Sequence, residues 1–339
     1  PITNVPGSIP RIIWLSFKKN ELNVNKNTKI WLNYIAGGAI SLFLLWSIYG
    51  QVTKQMAGIG ADTWKRAGPG AYLWLCIFLM FVNTSLEGCK WYLLANVAEP
   101  LGYAKAFSSY LAGVAFSIIT PNRIGEYPGR ILYIGSNNTW RYINVSVTGI
   151  ISQLSGVYIF GLMGLIYYNI AFPAPMAKVA LGLCFIANIF IIIIYRRYET
   201  WLPALARIKW LQKFSIYGRL QNRVPRSRRF TVLGISILRV AIFTAQYLFL
   251  LKWMNVDIPL AEGFFMAALF FWILAVIPGI ALIELGVRGS LSIHLFKLIS
   301  STPPNIVGMV AATAGIWLLN LIIPSIFGSI LIIRMRLLR

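Results

Sequence analysis

Met176-Ala-Lys-Val-Ala-Leu-Gly-Leu-Cys-Phe-Ile-Ala-Asn-Ile-Phe-Ile-Ile-Ile-Ile-Tyr195 carries one charge, Lys178, and is followed directly by Arg196-Arg197. A helix needs about 20 mostly apolar residues to cross a bilayer, and this run supplies them. Five more runs read the same way: Ile30–Gly50, Ala71–Val97, Val145–Tyr168, Thr231–Leu251 and Ile306–Ile333. Ala71–Val97 is long and has polar residues in its second half. Ile306–Ile333 contains Pro324 and is expected to kink there.

Composition agrees with that reading. The chain has 339 residues, of which 58% are hydrophobic and 12% charged, with a mean hydropathy of +0.70. Soluble domains carry about 25% charged residues and could not hide this much apolar surface. The charges are biased, 31 Lys+Arg against 9 Asp+Glu, for a net +22. The basic residues cluster in the polar gaps between apolar runs, where they signal topology and meet anionic headgroups. Membrane lipids are therefore the expected partners, and nucleic acid is not. Cys76, Cys89 and Cys184 have no paired spacing and His294 stands alone, so no disulfide framework, metal site or cofactor is expected. Residues 1–29 are polar and basic, with no signal-peptide core.

Two apolar stretches are too short to span. Tyr103–Thr120 runs into Pro121, and Glu262–Ile277 runs into Pro278; each continues through a Gly/Pro-rich polar segment into a second short apolar stretch. This pattern suggests a re-entrant hairpin or broken helix, tolerated at membrane depth only inside protein or beside water. Charge counting supports it. Residues 1–29 hold five basic residues, 196–230 hold ten, and the tail 334–339 holds three. Keeping all three segments cytoplasmic requires an even number of crossings between them. That holds if both interrupted stretches return to the side they entered. The expected architecture is an all-α transmembrane bundle over 30–333, with six spans and two hairpins entering from opposite faces. This is the arrangement of an inverted repeat. The loop 196–230 reads equally as an amphipathic surface helix or as plain topology signal.

The hairpins also carry the chemistry. The first reads Ser117-Ile-Ile-Thr-Pro-Asn-Arg-Ile-Gly-Glu-Tyr-Pro-Gly-Arg130, and the second Ala275-Val-Ile-Pro-Gly-Ile-Ala-Leu-Ile-Glu-Leu-Gly-Val-Arg288. Each has a proline, a short segment, a glutamate, and an arginine four residues later, on the same helix face. Pro121, Gly125, Pro128 and Gly129, and Pro278, Gly279 and Gly286, are the expected helix breakers. They would free backbone amides and leave helix N-termini that favour anions. Thr120, Asn122, Arg123, Arg130 and Arg288 could then hold a phosphate, with Glu126 and Glu284 orienting the guanidiniums or carrying a proton. Glu87 and Lys90, three apart on the second span, are candidates to join them. Asn83, Thr84 and Ser85 could line water or pack between helices, and Gln153 and Ser155 are weaker cavity candidates. The alternative is that the Glu/Arg pairs merely pin broken helices, but a purely structural pair would not need to occur twice from opposite sides.

The first motif, with Ile277-Pro278 and Glu284-Leu-Gly-Val-Arg288-Gly-Ser290, resembles the flippase-like integral membrane family, also called the lysylphosphatidylglycerol synthase transmembrane region. The resemblance covers about Ile30 to Ile333. It implies lipid handling in the cytoplasmic membrane. Members of the family that aminoacylate lipids carry a further soluble synthase domain. None is expected here, where six residues follow Ile333. The expected function is movement of a phospholipid or lipid-linked headgroup across the inner membrane. No G-x-x-x-x-G-K-[ST] run is present, so ATP hydrolysis by this chain is not expected. The competing readings are a membrane enzyme acting on a lipid-linked sugar or phosphate, which the two aspartates Asp62 and Asp257 support poorly, and a non-catalytic scaffold subunit.

Overall fold

Hydrocarbon offers no water to backbone N–H and C=O groups, so an apolar run must close its hydrogen bonds internally, as a helix does. The computed structural model describes residues 26–56, 59–60, 63–64, 68–120, 123–135, 139–204, 224–277, 284–300 and 304–333, without the side chains of 26–30, 140, 198–204 and 284–285. Among these residues the chain is helical throughout, with no strand. The elements are α1 (Lys26–Met56), α2 (Ala71–Ala98), α3 (Tyr103–Ser117), α4 (Glu126–Ile134), α5 (Thr139–Ala171), α6 (Pro175–Ala204), α7 (Arg226–Trp253), α8 (Leu260–Val276), α9 (Glu284–Lys297), α10 (Ile306–Trp317) and α11 (Ile323–Ile332). The N-terminal segment, most of the basic loop, the tail, and Pro121, Asn122, Pro278 and Gly279 lie outside the described residues.

Six segments are long and apolar enough to cross a membrane: Trp31–Lys54, Ala71–Ala98, Arg141–Ala171, Pro175–Arg197, Arg226–Trp253 and Ile306–Ile332. These are the six runs read from the sequence, extended at several ends by charged residues such as Lys54, Arg141 and Arg226. The chain is a multi-pass helical membrane protein. α1 and α6 lie at the periphery and the α10–α11 span is the most enclosed.

Pro324 is accommodated locally. It has no N–H, and its ring would collide with the carbonyl four residues back. The turn before it, Leu318–Ile322, widens to π geometry, and α11 restarts with the proline in its first turn.

At the first interruption the chain folds back, and α3 lies against α4. Glycines make the approach possible: a Cβ on Gly113 would sit 2.4 Å from the Glu126 carbonyl oxygen, and one on Gly129 2.7 Å from the Phe116 ring. Between the helices, Arg123 takes a left-handed backbone, φ 57°, and the Gly125 N–H donates to Thr120 Oγ1 at 2.8 Å. Three expected breakers do not break a helix. Pro128 and Gly129 lie within α4, and Gly286 within α9. Pro128 occupies the first turn, where a helical N–H has no carbonyl to bond in any case, and Gly129 serves close packing.

Packing crosses between the two halves of the chain. α3 packs on α11 and α8 on α5; α1 also packs on α11, and α6 on α5. α2 and α7 meet along the centre. Small residues set these contacts, as expected where lipid removes the hydrophobic drive between helices. A Cβ on Gly328 would lie 2.0 Å from the Leu111 carbonyl oxygen, and one on Gly164 2.6 Å from that of Phe265.

Candidate functional site

The centre of the bundle is polar. Glu87 of α2 is buried and receives three cations. Lys90, one turn on, places Nζ 2.6 Å from Oε2; Arg130 of α4 donates from Nη2 to Oε1 at 2.9 Å; and Arg239 of α7 donates from Nη1 to Oε2. Arg130 also pairs with Glu126 within α4, so the i, i+4 spacing read from the sequence produces an ion pair. An unpaired charge at this depth would cost several kcal/mol. The charges of the cluster are drawn from three helices far apart in sequence.

Hydrogen bonds extend the cluster both ways. Gln153 of α5 accepts at Oε1 from Arg239 Nη1 at 2.9 Å and from Lys90 Nζ at 3.2 Å. Arg239 Nε donates to Asn83 Oδ1 at 3.0 Å, and Asn83 Nδ2 donates to Asn320 Oδ1 at 2.9 Å. Asn320, in the π turn, donates to Gln246 Oε1 at 2.8 Å, and Gln246 Nε2 reaches the Cys76 carbonyl at 2.8 Å. Aromatic faces hold Arg130 in place: its guanidinium carbon lies 4.9 Å from the Trp91 ring centroid, 5.1 Å from Tyr110 and 5.4 Å from Tyr127.

A cavity of about 280 Å³ opens beside this network. Its polar wall includes Asn83, Glu87, Lys90, Glu126, Gln153 and Arg239, with Arg123 at one edge; Val114, Phe243 and Phe271 form part of its apolar wall. Arg123 is exposed. Lys90, Arg123, Arg130 and Arg239 are four cationic side chains on or directly behind the wall, and Glu87 and Glu126 are two carboxylates. The wall is therefore cationic on balance and suited to an anionic group.

The site brings together Glu87, Lys90, Arg123, Glu126 and Arg130 from the sequence reading. Thr120 instead orders the turn through Gly125. Arg288 is half-buried on α9 and does not line this cavity. Ser292, one turn after Arg288, shares a hydroxyl cluster with Tyr247 and Thr313, at 2.8 Å in each bond to Tyr247. The side chain of Glu284 lies outside the described residues. Ser155 turns back to the Ile151 carbonyl, and Ser85 is exposed. Arg239, Asn320 and Gln246 are the polar groups that sequence reasoning passed over. Arg239 had a signal: it is a lone cation in the middle of the run Thr231–Leu251, where a charge in hydrocarbon is expensive.

Residues 34–328 match the family described as lysylphosphatidylglycerol synthase TM region. The match takes in both interrupted stretches and every residue named above for the cavity. No curated protein and no solved structure matched the sequence.

Proposed function

The chain belongs to the lysylphosphatidylglycerol synthase TM region family, and we propose that it moves a phospholipid or lipid-linked headgroup across the cytoplasmic membrane through the cavity beside Glu87 and Arg239. The observation that carries this reading is the cationic excess of a cavity set between membrane spans. A charged headgroup crosses hydrocarbon only if fixed charges and hydrogen-bond donors replace its water. Arg239, Lys90 and Arg123 supply those donors, and the apolar wall of Val114, Phe243 and Phe271 suits the start of an acyl or prenyl chain.

Two further features support transport. Packing is reciprocal: exchanging residues 26–171 with 175–332 maps α3 on α11 to α8 on α5, α1 on α11 to α6 on α5, and α2 on α5 to α7 on α10. This favours an inverted repeat, in which one half rocks against the other around a central site. The ten basic residues of 196–230 favour a cytoplasmic loop, which with six crossings leaves both termini cytoplasmic.

The test is headgroup movement in liposomes containing purified protein, followed with anionic and zwitterionic fluorescent lipids. Wild type is compared with Arg239→Gln, Glu126→Gln, Arg130→Ala and Arg288→Ala. Wild type is expected to move the anionic lipid, and Arg239→Gln to slow it at least tenfold. No movement by folded wild type under any ion gradient refutes the proposal.

A further inference from the structure

We infer that Gln153 holds the place of a singly charged phosphate group, and that the site formed by Arg239, Lys90 and Arg123 selects a phosphate-bearing anionic headgroup by displacing its side-chain oxygen. This rests on the reading of the cavity as a headgroup site.

The cations of the cluster are unevenly satisfied. Both oxygens of Glu87 are committed, Oε1 to Arg130 and Oε2 to Lys90 and Arg239, and Glu126 is committed to Arg130. The two positive charges in excess therefore lie on the side of Lys90, Arg239 and Arg123, which line the cavity. There a neutral amide oxygen, Gln153 Oε1, accepts from two cations at once, at 2.9 and 3.2 Å. An ionised oxygen in that position makes bonds about twice as strong.

Arg239 is also presented suitably. Its Nε and Nη1 are held by Asn83, Glu87 and Gln153, while Nη2 lies outside these bonds. Its side chain keeps 17% exposure, against 4% for Lys90. When Gln153 withdraws, Nη1 and Nη2 offer a fork to two phosphate oxygens, and Lys90 reaches one of them as a point charge. A monoanion takes one of the two positive charges in excess, and the other, on exposed Arg123, is left to solvent, so a phosphodiester suffices without further negative groups.

The experiment is titration calorimetry on the purified full chain in detergent, using dioctanoyl phosphatidylglycerol, dioctanoylglycerol and inorganic phosphate. Wild type, Gln153→Glu and Gln153→Met are compared. Gln153→Glu sets a permanent anion of the same shape between two cations, so it is expected to fold and to weaken phosphatidylglycerol binding at least tenfold. Gln153→Met removes the competing oxygen and is expected to bind as tightly as wild type or more tightly. Dioctanoylglycerol is expected not to bind, and inorganic phosphate to bind more weakly than the lipid with the same ranking of variants. Gln153→Glu binding within twofold of wild type, or Gln153→Met losing as much as Gln153→Glu, overturns the inference. Inorganic phosphate binding as tightly as the lipid overturns the lipid as its source. Binding is read without transport, so a failure of lipid movement alone leaves this result standing.

Discussion

Replacing Glu87 by glutamine tests the cluster most directly. The carboxylate meets Lys90, Arg130 and Arg239 while its own side chain is 8% exposed. A pair of unit charges near 4 Å is worth about 4 kcal/mol at an effective dielectric constant of about 20. Three such pairs outweigh the several kcal/mol of desolvation that the carboxylate costs. Glutamine keeps the shape but loses the charge, leaving three buried cations with Glu126 as the remaining carboxylate. Removing one partner of a buried ion pair typically costs about 3–5 kcal/mol. At about 2–4 °C per kcal/mol for large domains, the midpoint of thermal unfolding should fall by roughly 10 °C. The assay is unfolding in detergent followed by tryptophan fluorescence, to which Trp91 contributes from beside Arg130. Adding Lys90→Met removes one stranded cation, so the double variant should be less destabilised than Glu87→Gln alone. A Glu87→Gln protein melting within about 2 °C of wild type would refute the claim that this charge joins α2, α4 and α7.

Gly328→Ala should destabilise by about 1–3 kcal/mol through overpacking, because its new methyl meets the Leu111 carbonyl. Gly182→Ala, which meets nothing within 4 Å, should stabilise by about 0.5–1 kcal/mol; equal melting shifts in both would refute the close approach of α3 and α11. Asn320→Leu strands Gln246 Oε1 and Asn83 Nδ2 and should cost about 1–3 kcal/mol in the same assay. Arg123→Ala should leave the melting midpoint near wild type, since Arg123 is exposed, and lower the rate of anionic lipid movement in liposomes. An unchanged rate would remove Arg123 from the path.

The spans were legible because the bilayer imposes one length and one composition, and Met176–Tyr195 or Thr231–Leu251 needs no partner to be recognised. The first hairpin was legible from Pro121 and from apolar arms too short to cross. Glu126 and Arg130 pair as their spacing requires. Less of the site could be read. Nothing in the local sequence links Glu87 to Arg130 or to Arg239, because those contacts arise only when α2, α4 and α7 pack together. The repeated Glu/Arg pattern invited a single cavity holding both pairs, yet Arg288 does not line it: α9 packs chiefly on α10 and meets α7 through Ser292 and Phe296, which touch Tyr247. Pro128 and Gly129 read as breakers because their residue types break helices in general. In the first turn of α4, and against Phe116 and Gly113, they do other work.

The crossed packing of the halves bears on how the protein is made. A ribosome delivers α3 and α4 long before α11, the helix on which α3 rests with Gly328 against Leu111. Until α7 is made, Arg130 awaits Arg239 as its companion on Glu87, and until α11 is made, α3 lacks the helix that covers it. A nascent chain stopped after α6 would therefore lack α7 and α11, the helices on which α2 and α3 pack. The arrival of α11 covers α3 and α1 together.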